Sequence, residues 1–258
     1  MPKYTDYPLL AEDLQQAFVS ILEAAPIHVA ADILQHAADT LKEKGIQAQA
    51  CILPSNQQWV DTDNDKLLPA MIVRAIAFAM EAHNRQIRKH PTLVIPYIVH
   101  IFDIAARLLH WGITDEVVLT SAILHDVVED TKYKLVDIMV KFNEHVCAIV
   151  GQVSEGDYPP GQPKPPKWER KLMYIDKIRN AHPSIARAIV LVSAVDKISN
   201  GWDYVSAAEN ADNLDPESRE MNLRFYGELV PIYLENIQVP EMRQNIELLW
   251  SRLQKAWV

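Results

Sequence analysis

The chain has 258 residues, 49% of them hydrophobic and only seven of them glycine, with 25 basic against 34 acidic side chains for a formal charge of −9. That length excludes a small stapled fold, and the acidic balance excludes broad electrostatic binding to a nucleic acid polymer or an anionic membrane surface. No apolar run approaches the ~20 residues that span a bilayer; the opening residues lack the apolar core of a signal peptide, and Cys51 and Cys147 have no metal or redox spacing, so a cytoplasmic setting is expected.

Taken in chain order, residues 9–24 and 28–44 read as two helices divided at Pro26, the second closed by a charged turn and Gly45. A short strand over 46–53 and a polar connector over 54–65 follow, so residues 1–65 form an N-terminal helical appendage and the main domain spans 66–258. There the patterns predict helices over 67–90, 97–111, 115–130, 134–141, 143–154, 168–181, 183–199, 216–236 and 240–256. Prolines 159, 160, 163, 165 and 166 forbid a helix between Gly156 and Lys167 and predict a stiff loop able to overhang a cleft. The fold class is all-α.

The run from Leu119 to Thr131 carries the chemistry. On one continuous helix, His125, Asp126, Glu129 and Asp130 fall within an arc of roughly 140°, an imidazole and three carboxylates flanked by apolar Ala122, Ile123, Leu124, Val127 and Val128. Acids so close repel one another and are costly to bury unless a cation neutralises them. Other donors must come from distant segments. His100 follows a helix start at Pro96, and Asp196 is an acid in the apolar run 188–195. Together these residues offer two imidazoles and two carboxylates, a hard-to-borderline set suited to one divalent ion of manganese, iron or zinc.

The order Ala82-His83 with Gln86, Arg88 and Lys89, then Pro96-Tyr97-Ile98 and His100, then Leu124 to Thr131, Phe142, Val146, and finally Val195-Asp196-Lys197 with Asn200 resembles the HD-domain phosphohydrolases. Within them it is most similar to the hydrolase domain of the RelA/SpoT family and to small stand-alone hydrolases, whose segment between the two halves of the site resembles Pro165 to Lys171. The likeness covers residues 70–205, and nothing in 1–65 shares it.

The resemblance implies an HD-domain helical bundle that holds a metal, usually manganese, through His100, His125, Asp126 and Asp196. It implies that Glu129 and Asp130 position and deprotonate the attacking water, and that Arg88, Lys89, Lys167 and Asn200 contact substrate. Arg85, Arg170 and Lys171 are read as solvated charges, and His36, His83, His110, His145 and His182 as structural. The chain departs from the family pattern at Arg85 in place of glycine, Ile101 in place of proline and Ser199 in place of an aromatic or imidazole ring; none of these removes a ligand. The implied activity is hydrolysis of a nucleotide-like substrate, foremost removal of the 3′-pyrophosphate from guanosine tetra- or pentaphosphate. A general nucleotide phosphatase and a non-catalytic nucleotide sensor or scaffold are the alternatives. The expected partner is a small phosphorylated nucleotide, and homo-oligomerisation is left open.

Overall fold

Residues 70–88, 95–155, 163–210 and 215–256 are described by the computed structural model. The helices expected over 9–24 and 28–44, the strand over 46–53, Lys89 and most of the proline loop lie outside them. The elements are α1 (Ala70–Ala82), β1 (Ile87–Arg88), β2 (Ile95–Pro96), α2 (Tyr97–His110), α3 (Glu116–Leu124) and α4 (Val127–Asp130). After them come α5 (Leu135–Lys141), α6 (Glu144–Val153), α7 (Lys167–Arg179), α8 (Ala186–Asn210), α9 (Pro216–Asn236) and α10 (Pro240–Ala256). Among the described residues the fold is therefore all-α apart from the antiparallel pair β1–β2, in which Ile87 faces Pro96 and Arg88 faces Ile95.

Helix α3 is the centre. Every residue from Val118 to Leu124 is buried, so it has no solvent face and packs against α1, α2, α6 and α8. Its start is fixed by Asp115, whose side chain accepts a hydrogen bond from the Val118 N–H at 2.9 Å. Helix α2 is amphipathic: Ile98, Ile101, Phe102, Ile104, Ala105 and Leu108 face the core, while Val99 is exposed. Helix α8 crosses the bundle against α2, α3 and α6 on one side and α10 on the other. None of the described helices is long and apolar enough to cross a membrane.

The structure corrects three of the expected helix bounds. The helix expected over 67–90 stops at Ala82, because Arg85 takes a left-handed φ of 65° that turns the chain into β1. Gln86 then pairs with the start of α2 through its carbonyl, which accepts from Tyr97 N–H at 2.9 Å. The helix expected over 115–130 is two, α3 and α4, joined at His125 and Asp126. Helix α8, expected to end at 199, runs on to Asn210.

Candidate metal centre and cleft

His100 lies in the first turn of α2, His125 and Asp126 form the joint between α3 and α4, and Asp196 sits mid-way along α8. One ligand atom from each lies within 4.8 Å of all the others. His125 Nε2 is 2.8 Å from Asp126 Oδ2 and 3.5 Å from Asp196 Oδ1; His100 Nε2 is 3.8 Å and 3.3 Å from the same two atoms. Both Nε2 atoms are buried, yet neither meets a partner with hydrogen-bond alignment. On the far side of each ring, Nδ1 is engaged: His125 Nδ1 with the Ala122 carbonyl at 2.8 Å and His100 Nδ1 with Ser199 Oγ at 3.1 Å. A carbonyl only accepts, so His125 Nδ1 carries a hydrogen toward it and the ring turns its Nε2 to the carboxylates.

Charge at this point is strongly organised. Burial holds His100 below the usual histidine range. At His125 burial works the same way, but Asp126 and Asp196 outweigh it and push the imidazole well above that range. Burial alone would raise Asp196, yet Lys197 and His125 keep it well below the usual carboxylate range. Asp126 likewise sits below it, with His125 overcoming burial. The centre is thus a pair of ionised carboxylates that draws positive charge to the point where the two Nε2 atoms converge. Unpartnered buried imidazole nitrogens beside ionised carboxylates fit a divalent cation.

Around the ligands runs a ring of supporting contacts. Tyr97 Oη donates to Asp126 Oδ2. Asn200 Nδ2 donates to Asp196 Oδ1 at 2.6 Å, and Lys197 Nζ pairs with Asp196 Oδ2 at 2.5 Å. Arg88 stands behind Asn200, donating to its Oδ1 at 2.9 Å and to Asp203 Oδ2 at 2.5 Å. The two acids of α4 are held in turn: Gln86 Nε2 donates to Asp130 Oδ2 at 3.1 Å, and the Glu155 N–H donates to Glu129 Oε2 at 3.0 Å. His83 is buried, hydrogen-bonded to Gln86 at 2.8 Å and stacked on Tyr97 at 4.7 Å.

Asp126 and Asp196 open onto a cavity of about 360 Å³. The acids Asp126, Glu129, Asp130, Glu155 and Asp196 line it together with Lys167, Arg170, Lys171 and Lys197, of which Lys197 is paired with Asp196 and Arg170 with Glu155. Tyr174, Tyr204, Phe225 and Tyr226 supply flat apolar surface. The Glu129 side chain is open to this cleft, but the walls strip away enough hydration, and Asp126 adds enough repulsion, to push its carboxyl up to about 7. Lys171, 8% exposed, places its Nζ 3.6 Å above the Phe225 ring. Burial first, then Lys197 and Lys167, bring it down to about 7. A cavity of about 450 Å³ bounded by Trp111, Ile113, Ile149, Ile185 and Leu191 is larger but shares no lining residue with this cleft.

Residues 75–219, more than half of the chain, match the HD-domain family, a span that contains all four converging residues. This chain belongs to the HD-domain family. It is 37% identical over 132 residues to the guanosine-3′,5′-bis(diphosphate) 3′-pyrophosphohydrolase MESH1 of Xenopus tropicalis, covering 51% of this chain and 68% of that protein. To the MESH1 of Drosophila melanogaster it is 31% identical over 174 residues, covering 60% of this chain and 91% of the relative. A solved structure described as a metazoan ortholog of SpoT that hydrolyzes ppGpp aligns with a TM-score of 0.59 at 23% identity, covering 74% of this chain and 98% of the other. That likeness establishes the shared fold. The HD family and the donor set together imply a divalent metal.

Of the site residues read from the sequence, the structure brings His100, His125, Asp126 and Asp196 together and sets Glu129, Asp130, Lys167 and Asn200 on the cleft. Arg88 does not line the cleft; it reaches the centre through Asn200. Lys89 lies outside the described residues. Arg85 is exposed, as expected, but Lys171 is buried in the cleft wall and Arg170 is ion-paired with Glu155, so neither is a solvated surface charge. Tyr97, Lys197 and Ser199, whose contacts support the centre, were not singled out as site residues from the sequence. The one available signal is spacing: Tyr97 precedes a ligand by one helical turn and Ser199 follows one by the same interval.

Proposed function

We propose that the chain is a metal-dependent phosphohydrolase that removes the 3′-pyrophosphate of guanosine tetra- or pentaphosphate, with manganese as its metal. The observation that carries this reading is the convergence of two unpartnered imidazole nitrogens and two carboxylates beside a cleft that is also lined by Lys167, Arg170, Lys171 and Lys197. The names of the MESH1 relatives supply the substrate class. In this reading His100, His125, Asp126 and Asp196 are the metal ligands, and residues 66–258 carry the activity with 1–65 appended.

Bound there, the divalent ion would offset phosphoryl charge in an acidic site and make a nearby water more acidic. The chain's own residues do the rest. Glu129, with its carboxyl raised to about 7, accepts the proton of the attacking water, and Asp130, steered by Gln86, orients it. Water oxygen bonds to the phosphorus attached to O3′, the P–O3′ bond breaks, and the O3′ leaving group takes up a proton as pyrophosphate departs. Lys167 and Lys171 in the cleft meet the phosphates as point charges, with Lys89 as a further contact, and Asn200 contacts the nucleotide beside Asp196. Arg88 contributes from behind Asn200. Among these, Lys171 is buried with its Nζ over the Phe225 ring, so a phosphate beside it would favour its charged form.

The direct test is to incubate manganese-loaded protein with guanosine tetraphosphate and follow pyrophosphate release by chromatography. Metal-dependent release is expected. Intact alarmone alongside cleavage of another nucleotide phosphate, such as a dinucleotide 2′-phosphate, would transfer the assignment to a general nucleotide phosphatase. Binding without any turnover would favour a sensor.

A further inference from the structure

Of the two histidines, His100 is the one whose orientation is not set by its own helix. His125 Nδ1 is tied to a carbonyl three residues earlier, whereas His100 Nδ1 reaches across to Ser199 Oγ on α8 at 3.1 Å. The hydroxyl of Ser199 is itself committed, donating to Asp103 Oδ2 at 2.6 Å, and Asp103 Oδ1 accepts from Arg107 Nε at 2.8 Å. His100, Ser199 and Arg107 are all buried. The direction of this chain follows from its chemistry. A carboxylate only accepts, so the single Ser199 hydrogen points to Asp103, and Ser199 Oγ must therefore accept from His100. The His100 hydrogen then sits on Nδ1, leaving Nε2 as a bare lone pair 3.3 Å from Asp196 Oδ1.

We propose that Ser199 fixes the tautomer and ring orientation of His100, so that the Ser199–Asp103–Arg107 chain is the positioning device of the first metal ligand. This rests on the assignment of His100 as a ligand. Helix geometry makes the arrangement economical: His100, Asp103 and Arg107 share one face of α2, and Ser199 follows Asp196 by one turn of α8. The same stretch of α8 thus supplies one ligand and aims another, and a position where the chain departs from the family pattern acquires a role.

Two substitutions test it. Ser199→Ala removes the acceptor. Asp103→Asn keeps the shape but reverses the chain: with its carbonyl turned to Arg107, its amide donates to Ser199, whose hydroxyl then turns to His100 Nδ1 and displaces the hydrogen to Nε2. Each variant is expected to weaken manganese affinity by about 10–100-fold in titration calorimetry, with Ser199→Thr restoring it. Nitrogen-detected histidine NMR of the metal-free protein should show His100 protonated on Nδ1 in the wild type and shifted toward Nε2 in Asp103→Asn. An Nε2–H tautomer in the wild type, or unchanged manganese affinity in both variants while His125→Ala loses it, would overturn the proposal and leave the ligand set intact. Unchanged manganese affinity in His125→Ala would overturn the ligand set and this proposal together.

Discussion

Glu129 is the residue on which the difference between an enzyme and a metal-holding binder turns. Its carboxyl is raised to about 7 by lost hydration and by Asp126, and a base works only when deprotonated, so turnover should rise with pH through the acid limb and level off above it. A cation at the centre favours the carboxylate, so the limb falls at about 7 or below it. Glu129→Gln should lose about 10²–10⁴-fold in kcat, the usual share of a general base, while manganese affinity is kept and the acid limb disappears from the rate profile. An unchanged rate would remove Glu129 from the chemistry. At this scale the four converging residues were legible because each is chemically out of place in its sequence neighbourhood: a histidine-aspartate pair, a further histidine after Ile98-Val99 and a lone acid inside apolar runs. Tyr97 and Ser199 were silent because a hydroxyl on a helix carries no such contrast, and only the fold shows which carboxylate or imidazole it faces.

Among the elements, the joint between α3 and α4 shows how a correct set of residues can be reached through an incorrect geometry. A single helix would place His125, Asp126, Glu129 and Asp130 on one face; the break instead leaves His125 and Asp126 at the centre and turns Glu129 and Asp130 onto the cleft wall. Helix α8 erred in the other direction. The helix expected over 183–199 continues through Gly201, which lies within α8 where α10 approaches closely: a Cβ there would sit 2.7 Å from Leu249 Cδ2 and 3.1 Å from Tyr226 Oη. Leu249 is buried, and Tyr226 Oη donates to the Lys197 carbonyl at 2.8 Å, so neither neighbour can move freely. Gly201→Val should therefore overpack this contact and cost about 1–3 kcal/mol of stability in urea unfolding. An unchanged midpoint would show that α10 yields without penalty. That Gly201 serves packing could not be read locally, because the helix it accommodates lies some forty residues further along the chain.

For the molecule as a whole, the centre is a tie between distant parts of the chain: α2, the α3–α4 joint and α8 each bring a share of the donors. A metal that binds only the folded form stabilises it by mass action, about 2.7 kcal/mol at one hundred times its dissociation constant. Stripping the protein with a chelator should lower its melting temperature, and manganese should restore it. The gain should shrink as pH falls, because a proton competes for His125. A melting temperature indifferent to metal would separate the centre from the stability of the fold. By itself the sequence determined the helical class, the apolar central segment and the identity of the four converging side chains, since composition, periodicity and misplaced charge are properties of local stretches. Only the tertiary structure decided that four basic side chains gather in the same cleft as the acids, that Arg88 reaches the centre through Asn200, and that Ser199 aims His100. Those facts depend on which helix faces lie against one another, and packing across the whole bundle sets that arrangement.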